Sequence, residues 1–277
     1  MKADLHLHSN YSDGTDSPAE LIARAAQARF DVVAVTDHDT IDGITEAIDA
    51  GGRLGVKVVP GVEITAQWSR HELHLLAYFS PNGGDGRGWR HPDLIEELRR
   101  SARCREDRAA GIVQRLNDLG ISLAMDDVRR QVGKGTIGRP HIAAALVARN
   151  RVSSPAQAFN EFLKRGRPGW VDKPRPEARD AIALVHRVGG IVALAHTGLL
   201  PDPEILSDLP AEGIDGVEVY HSRHSPSQAA RFLDFARQHQ LLTTGGSDCH
   251  GMLKGEPLMG RVEFTGKDLD QFLARIG

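Results

Sequence analysis

The chain has 277 residues, enough to bury a sizeable core, and its 40% hydrophobic and 26% charged content excludes a disordered chain. A net charge of −3 offers no general attraction for nucleic acid or anionic membranes, although it leaves room for a local basic patch. Two distant cysteines, Cys104 and Cys249, exclude a disulfide scaffold and a zinc finger.

No apolar run approaches the ~18–20 residues of a membrane span, and the N-terminus passes straight into a strand, so a cytoplasmic protein with no membrane partner is expected. In D-L-H-L-H-S, from Asp4 to Ser9, leucine alternates with histidine at the period of a strand, which points His6 and His8 to one side. Taken alone, such a pair is either a metal site or two polar positions on a half-exposed strand. Ser17 and Pro18 open a helix running to about Arg29. D-V-V-A-V-T is a short buried strand that leads to Asp37, His38 and Asp39. A helix from about Ile41 closes at Gly51-Gly52, and two further strands carry Glu63 and His74. Strands alternating with helices predict a parallel sheet or barrel.

The segment Pro81 to Arg90 is glycine-rich and reads as a loop or hinge. Beyond it a long helix is expected from about Asp93 to Leu119, with shorter ones near 125–132, 139–149 and 154–165. This all-helical block lies between strands and reads as an insertion. It divides the chain into a discontinuous barrel, 1–90 and 168–277, and a helical lid, 91–167. The strand-helix rhythm then resumes. A helix near 176–188 precedes a strand ending at His196, a later strand ends at His221, and a helix near 226–239 precedes one ending at Asp248 and His250. R-V-E-F is the last strand candidate before a terminal helix.

At least six of the 13 histidines fall at strand ends, where the functional groups of barrels and open α/β sheets gather. Imidazole and carboxylate without thiolate suit manganese, zinc or iron in a catalytic centre. The donors exceed what one ion can use, which favours two or three ions sharing a carboxylate. Such centres hydrolyse phosphate esters or amides.

D-L-H-L-H-S, T-D-H-D, the glutamate of V-E-I-T, the histidine of L-H-L-L-A-Y, the A-H strand end and G-S-D-C-H resemble the motifs of the PHP (polymerase and histidinol phosphatase) family. The resemblance implies an α/β fold, a distorted (β/α)7 barrel, and a trinuclear centre that usually holds manganese. It assigns His6, His8, Glu63 and Asp248 to one ion. Asp13, His38 and His250 go to a second, and His74 and His196 to a third, with Glu63 bridging. The nucleophile implied is a metal-bound hydroxide. Thr197 replaces a frequent family proline beside a ligand and leaves the ligand set intact.

The arginine-bearing helix and I-G-R-P-H-I-A are similar to the nucleotide-specific branch of that family, the 3′,5′-nucleoside bisphosphate phosphatases, also described as 5′→3′ exoribonucleases. That implies a nucleotide or short RNA substrate, with no DNA partner. Lys134, Gly135, Thr136, Arg139 and His141 read either as an anion cradle for a second phosphate or as an ordinary loop with a capping histidine. Arg103, Arg105 and Arg108 suit fork-shaped phosphate recognition or a solvated helix face. His221 or His224 would serve as the acid for the leaving oxygen, against a surface role. Trp170 would stack on a base or pack at the domain junction. The rivals are a histidinol phosphatase or general phosphomonoesterase on the same barrel, and a non-catalytic metal-binding module; the full set of nine donors speaks against the latter.

Overall fold

The computed structural model describes residues 1–81, 88–254 and 257–277. Eight strands form one sheet: β1 Lys2–Leu7, β2 Val32–Val35, β3 Lys57–Trp68, β4 His71–Tyr78, β5 Ile191–Leu194, β6 Gly216–His221, β7 Leu242–Gly246 and β8 Phe264–Thr265. Their order is β7-β6-β5-β4-β3-β2-β1-β8. The sheet curls until its ends nearly meet. The Asp248 amide donates to the His6 carbonyl and the His8 amide to the Cys249 carbonyl, each at 3.0 Å. β8 adds only a two-residue antiparallel pairing onto Lys2 and Ala3, so the barrel proper has the seven strands expected.

Besides the short β8 pairing, the expectation of a parallel sheet is corrected at β4. β3 and β4 are antiparallel, and so are β4 and β5. Trp68 pairs with His71, leaving only Ser69 and Arg70 between the strands, and Ser69 turns at φ +52°. A two-residue link cannot make the crossover that parallel strands need. β4 therefore runs backwards, and His74 reaches the rim from the first half of its strand.

Helices α1 Pro18–Gln27 and α2 Ile44–Leu54 pack beside β1–β3. α1 starts with a capping box between Ser17 and Glu20. α2 does not close at Gly51-Gly52; it ends at Gly55, which takes φ +73°. Gly51 serves packing instead, because a Cβ there would lie 2.5 Å from the Val56 carbonyl oxygen.

Between β4 and β5 lie α3 Pro92–Asp118, α4 Met125–Arg129, α5 Arg139–Ala148 and α6 Pro155–Ala158, the last running into a π-helical turn at Phe159–Leu163. α3 belongs to two cores. Leu94 and Leu98 pack on the barrel side, whereas Ile112 and Leu116 join Ile142, Leu146 and Leu163 in a separate cluster. The glycine-rich segment expected after Pro81 falls, at 82–87, outside the described residues. α7 Ala178–Arg187, α8 Ile205–Asp208, α9 Pro226–Gln238 and α10 Gly266–Ile276 complete the chain. Among the described residues no helix is long and apolar enough to cross a membrane.

Candidate metal centre

The strand ends converge on Glu63 of β3. Its Oε2 lies 3.3 Å from His6 Nε2, 3.1 Å from His8 Nε2 and 3.1 Å from His38 Nδ1. Its Oε1 lies 2.9 Å from His74 Nδ1 and 3.2 Å from His196 Nε2. One buried carboxylate thus meets five imidazoles. Asp248 Oδ1 is 3.4 Å from His8 Nε2, and Asp13 Oδ1 is 3.2 Å from His250 Nε2 and 3.9 Å from His38 Nε2. All nine residues singled out from the sequence lie in this one cluster.

The outer partners of two rings decide what the cluster can hold. His6 Nδ1 donates to Glu218 Oε1 at 3.0 Å, and His250 Nδ1 donates to the Asp248 carbonyl at 2.9 Å. Carboxylates and carbonyls only accept, so these nitrogens carry protons, and in the singly protonated tautomer each ring would turn a bare Nε2 inward. There each lone pair meets further acceptors: His6 Nε2 is 3.1 Å from His8 Nε2, and His250 Nε2 faces Asp13. Extra protons or cations must fill such contacts. Burial drives the pKa of His38 well below its ordinary value and lowers that of His196, whereas in His6, His8 and His74 the neighbouring carboxylates outweigh burial and raise it, so protons alone would charge some rings and not others. The donor set therefore fits divalent cations, with imidazole tautomers fixed by outer hydrogen bonds.

The backbone is bent to deliver these groups. His196 (φ +31°) follows β5 and Asp248 (φ +54°) follows β7, both in the left-handed region, where a non-glycine residue costs about 1–3 kcal/mol. Asp39, at φ +52°, does the same after β2. It stays outside the donor cluster, taking the Arg105 Nε–H at 2.6 Å, the Lys173 ammonium at 3.2 Å and the Thr65 amide at 2.8 Å. Asp37 is buried and accepts from the Ser9 amide at 2.7 Å and from the Ser9 and Ser12 hydroxyls at 2.5 Å each. It thereby holds the loop that presents Asp13.

A PHP domain profile matches residues 4–126. Over 254 residues the chain is 34% identical to 5'-3' exoribonuclease Rnm of Escherichia coli, an alignment covering 89% of this chain and 84% of that protein. The chain belongs to the PHP family. It is also 32% identical over 266 residues to a 3',5'-nucleoside bisphosphate phosphatase of Chromobacterium violaceum, covering 94% of this chain and 91% of that one. In three dimensions it resembles a candidate metal-dependent phosphoesterase from Bifidobacterium adolescentis. The TM-score is 0.87 at 33% identity, over 99% of this chain and 96% of the other.

Beside the metal-type donors of this PHP chain is a cavity of about 130 Å³, reaching from Asp13, His38 and His74 to Arg108, Arg139 and Phe159. Arg108 is 8% exposed; its Nε donates to the Val171 carbonyl at 2.8 Å, its guanidinium sits 4.6 Å from the Trp170 ring centre, and its Nη2 is buried without a hydrogen-bond partner. Burial and then the neighbouring Arg139 depress its pKa, a cost that a bound anion would relieve. Arg139 shares the same tryptophan, 4.9 Å from its centre, and approaches Glu72 at 3.5 Å.

The other expected substrate contacts are arranged differently. Arg105 is committed to Asp39 and Thr65, and Arg103 is an exposed partner of Glu96 at 2.9 Å. The amides of Lys134 and Thr136 do not cradle an anion; they donate to the Asn10 and Tyr11 carbonyls at 3.0 and 2.9 Å. Gly135 permits this strap, because a Cβ there would fall 1.4 Å from the Tyr11 carbonyl oxygen. His141 caps α5 by accepting from the Gly138 amide at 2.9 Å.

His224 bridges two backbone groups, donating to the Val219 carbonyl and accepting from the Gly198 amide, each at 2.9 Å. His221 Nδ1 accepts from the Arg223 amide at 3.1 Å, which leaves Nε2 as the donor, 3.7 Å from Asp248 Oδ2. Neither histidine lines the cavity. Trp170 packs under two arginines.

Sequence reasoning passed over Glu218, Lys173, Glu72 and Arg175. Glu218 is a carboxylate alternating with valines on a buried strand, which was its available signal. On α3 the stripe Leu94, Leu98, Ser101, Arg105, Arg108, Ile112 and Leu116 keeps helical spacing, so Arg105 and Arg108 occupy positions where apolar residues belong.

Proposed function

We propose that the chain is a metal-dependent phosphoesterase that releases the 3′-phosphate of nucleoside 3′,5′-bisphosphates such as adenosine 3′,5′-bisphosphate, leaving the 5′-monophosphate. Short RNA bearing a 5′-phosphate is the second substrate, trimmed 5′→3′, as the name of the Escherichia coli relative suggests. Two to three divalent ions, manganese first, are proposed. His6, His8, Glu63 and Asp248 hold one, Asp13, His38 and His250 another, and His74 with His196 a third. Bound there, such ions supply Lewis acidity, activating water at neutral pH and neutralising the phosphoryl oxygens. The protein is placed in the cytoplasm.

The observation that carries the substrate class is Arg108. It is a buried guanidinium with an unpartnered Nη2, lining the same small cavity as Asp13, His38 and His74. A single phosphate needs only the donor cluster; a buried cation at the other end calls for a second anion. Arg108 and Arg139 thus grip the 5′-phosphate while the 3′-phosphate lies against the donors. Lys173, 5% exposed in the same cavity, adds a third positive group. Glu218 positions His6, and neither His221 nor His224 lines the cavity, so the leaving ribose oxygen takes its proton from solvent. A panel of phosphate esters tests the reading. Phosphate release from adenosine 3′,5′-bisphosphate should far outpace release from histidinol phosphate, and the reverse ranking would overturn it.

A further inference from the structure

We propose that a basic groove outside the cavity is the track for the downstream strand of a single-stranded RNA whose 5′ nucleotide occupies the cavity; this rests on the function proposed above. The groove, about 410 Å³, lies on the far side of Glu72 and Arg139, which line it and the cavity alike. Its outer wall carries Arg70, Lys164 and Arg165. Among the described residues these three make no ion pair. Arg70 Nε faces His71 at 3.3 Å, Lys164 donates to the Asn160 side chain at 2.6 Å, and Arg165 donates to the Arg70 carbonyl at 2.6 Å.

The two carboxylates of the groove are already neutralised, Glu72 and Asp172 lying 2.7 and 2.9 Å from Arg175. Five cations therefore face two paired acids, a surplus suited to a phosphodiester chain. A second feature ties groove to cavity. The π-helical turn at Phe159–Leu163 begins with a cavity residue and ends immediately before Lys164. π-turns of this kind are rare and concentrate at functional sites.

The direction of the chain follows from chemistry. With the 5′-phosphate against Arg108 and the scissile phosphate against the donor cluster, the rest of the strand must leave past the cluster's open edge. His74 and His196 are its most exposed imidazoles, at 22% and 21%. Glu72 adjoins His74 at 3.6 Å and lines the groove, so this edge leads into it.

The test compares the wild type with R70Q/K164Q/R165Q on two substrates, a 5′-phosphorylated pentaribonucleotide and adenosine 3′,5′-bisphosphate. On the RNA, kcat/KM should fall about tenfold at low salt, and its salt dependence should flatten by a slope of about 0.7 for each RNA phosphate that the variant no longer neutralises. On the bisphosphate it should stay within about twofold, which also shows that the variant folds and loads metal. Unchanged RNA kinetics, or equal losses on both substrates, would overturn the track. A wild type that hydrolyses the bisphosphate but not RNA would sink this inference alone, and one that hydrolyses neither would sink the proposed function itself.

Discussion

Replacing Arg108 with glutamine separates the two phosphates of the substrate. The guanidinium donates to the Val171 carbonyl, and its buried Nη2 has no hydrogen-bond partner among the described residues. A hydrogen bond to a charged partner contributes about 1.5–3 kcal/mol, so removing the one to the 5′-phosphate should lower kcat/KM roughly ten- to hundredfold. A nucleoside 3′-monophosphate never makes that bond, and its kcat/KM should change by no more than about twofold. Removal of the Val171 bond and the Trp170 stack costs about 1–2 kcal/mol of stability. Relief of an unpaired buried cation opposes it, so thermal unfolding should shift little. Phosphate release measured on the two nucleotides side by side is the assay. Equal losses on both would refute the assignment and return Arg108 to a packing role.

Two other outcomes follow from the same geometry. In G135A the new methyl meets the Tyr11 carbonyl, so the strap and the loop carrying Asp13 must move; urea unfolding should show a loss of about 3 kcal/mol or more, with weakened metal uptake. Burial, opposed by Asp39, pulls the pKa of Lys173 down to about 8. Its ammonium is therefore present below that pH and absent above it, so KM for the bisphosphate should rise as pH passes through about 8, whereas K173R should keep KM flat across the same interval.

The donor cluster was legible because its members sit in short motifs resembling those of the PHP family; alternation alone placed only His6 and His8 on one side, and Asp13, in the turn after β1, came from the resemblance. His74 was found by motif although its strand runs opposite to expectation; the two-residue link Ser69-Arg70 already ruled out a parallel partner. Glu218 was harder to read: its alternation with valines marks a buried carboxylate, but the partner that gives it importance, His6, is 212 residues away. Gly135 left both readings, anion cradle and ordinary loop, open for a related reason. Glycine marks close approach of backbone to something, and here that something is the Tyr11 carbonyl rather than a phosphate. The arginines of α3 differ again. Their helical spacing separates Arg105 and Arg108 from the exposed Arg103, but only the fold reveals that Asp39 pairs with the first and that the second has no ion pair among the described residues.

The proposed function requires the convergent imidazoles and carboxylates to hold divalent ions on which phosphate release depends. The most direct measurement titrates chelator-treated protein with manganese and follows, in the same sample, bound metal per chain and phosphate released from adenosine 3′,5′-bisphosphate. No release is expected before metal is added, and full activity only once at least two ions are bound per chain. Release from the chelated protein, or full activity with fewer than two ions, would contradict the claim.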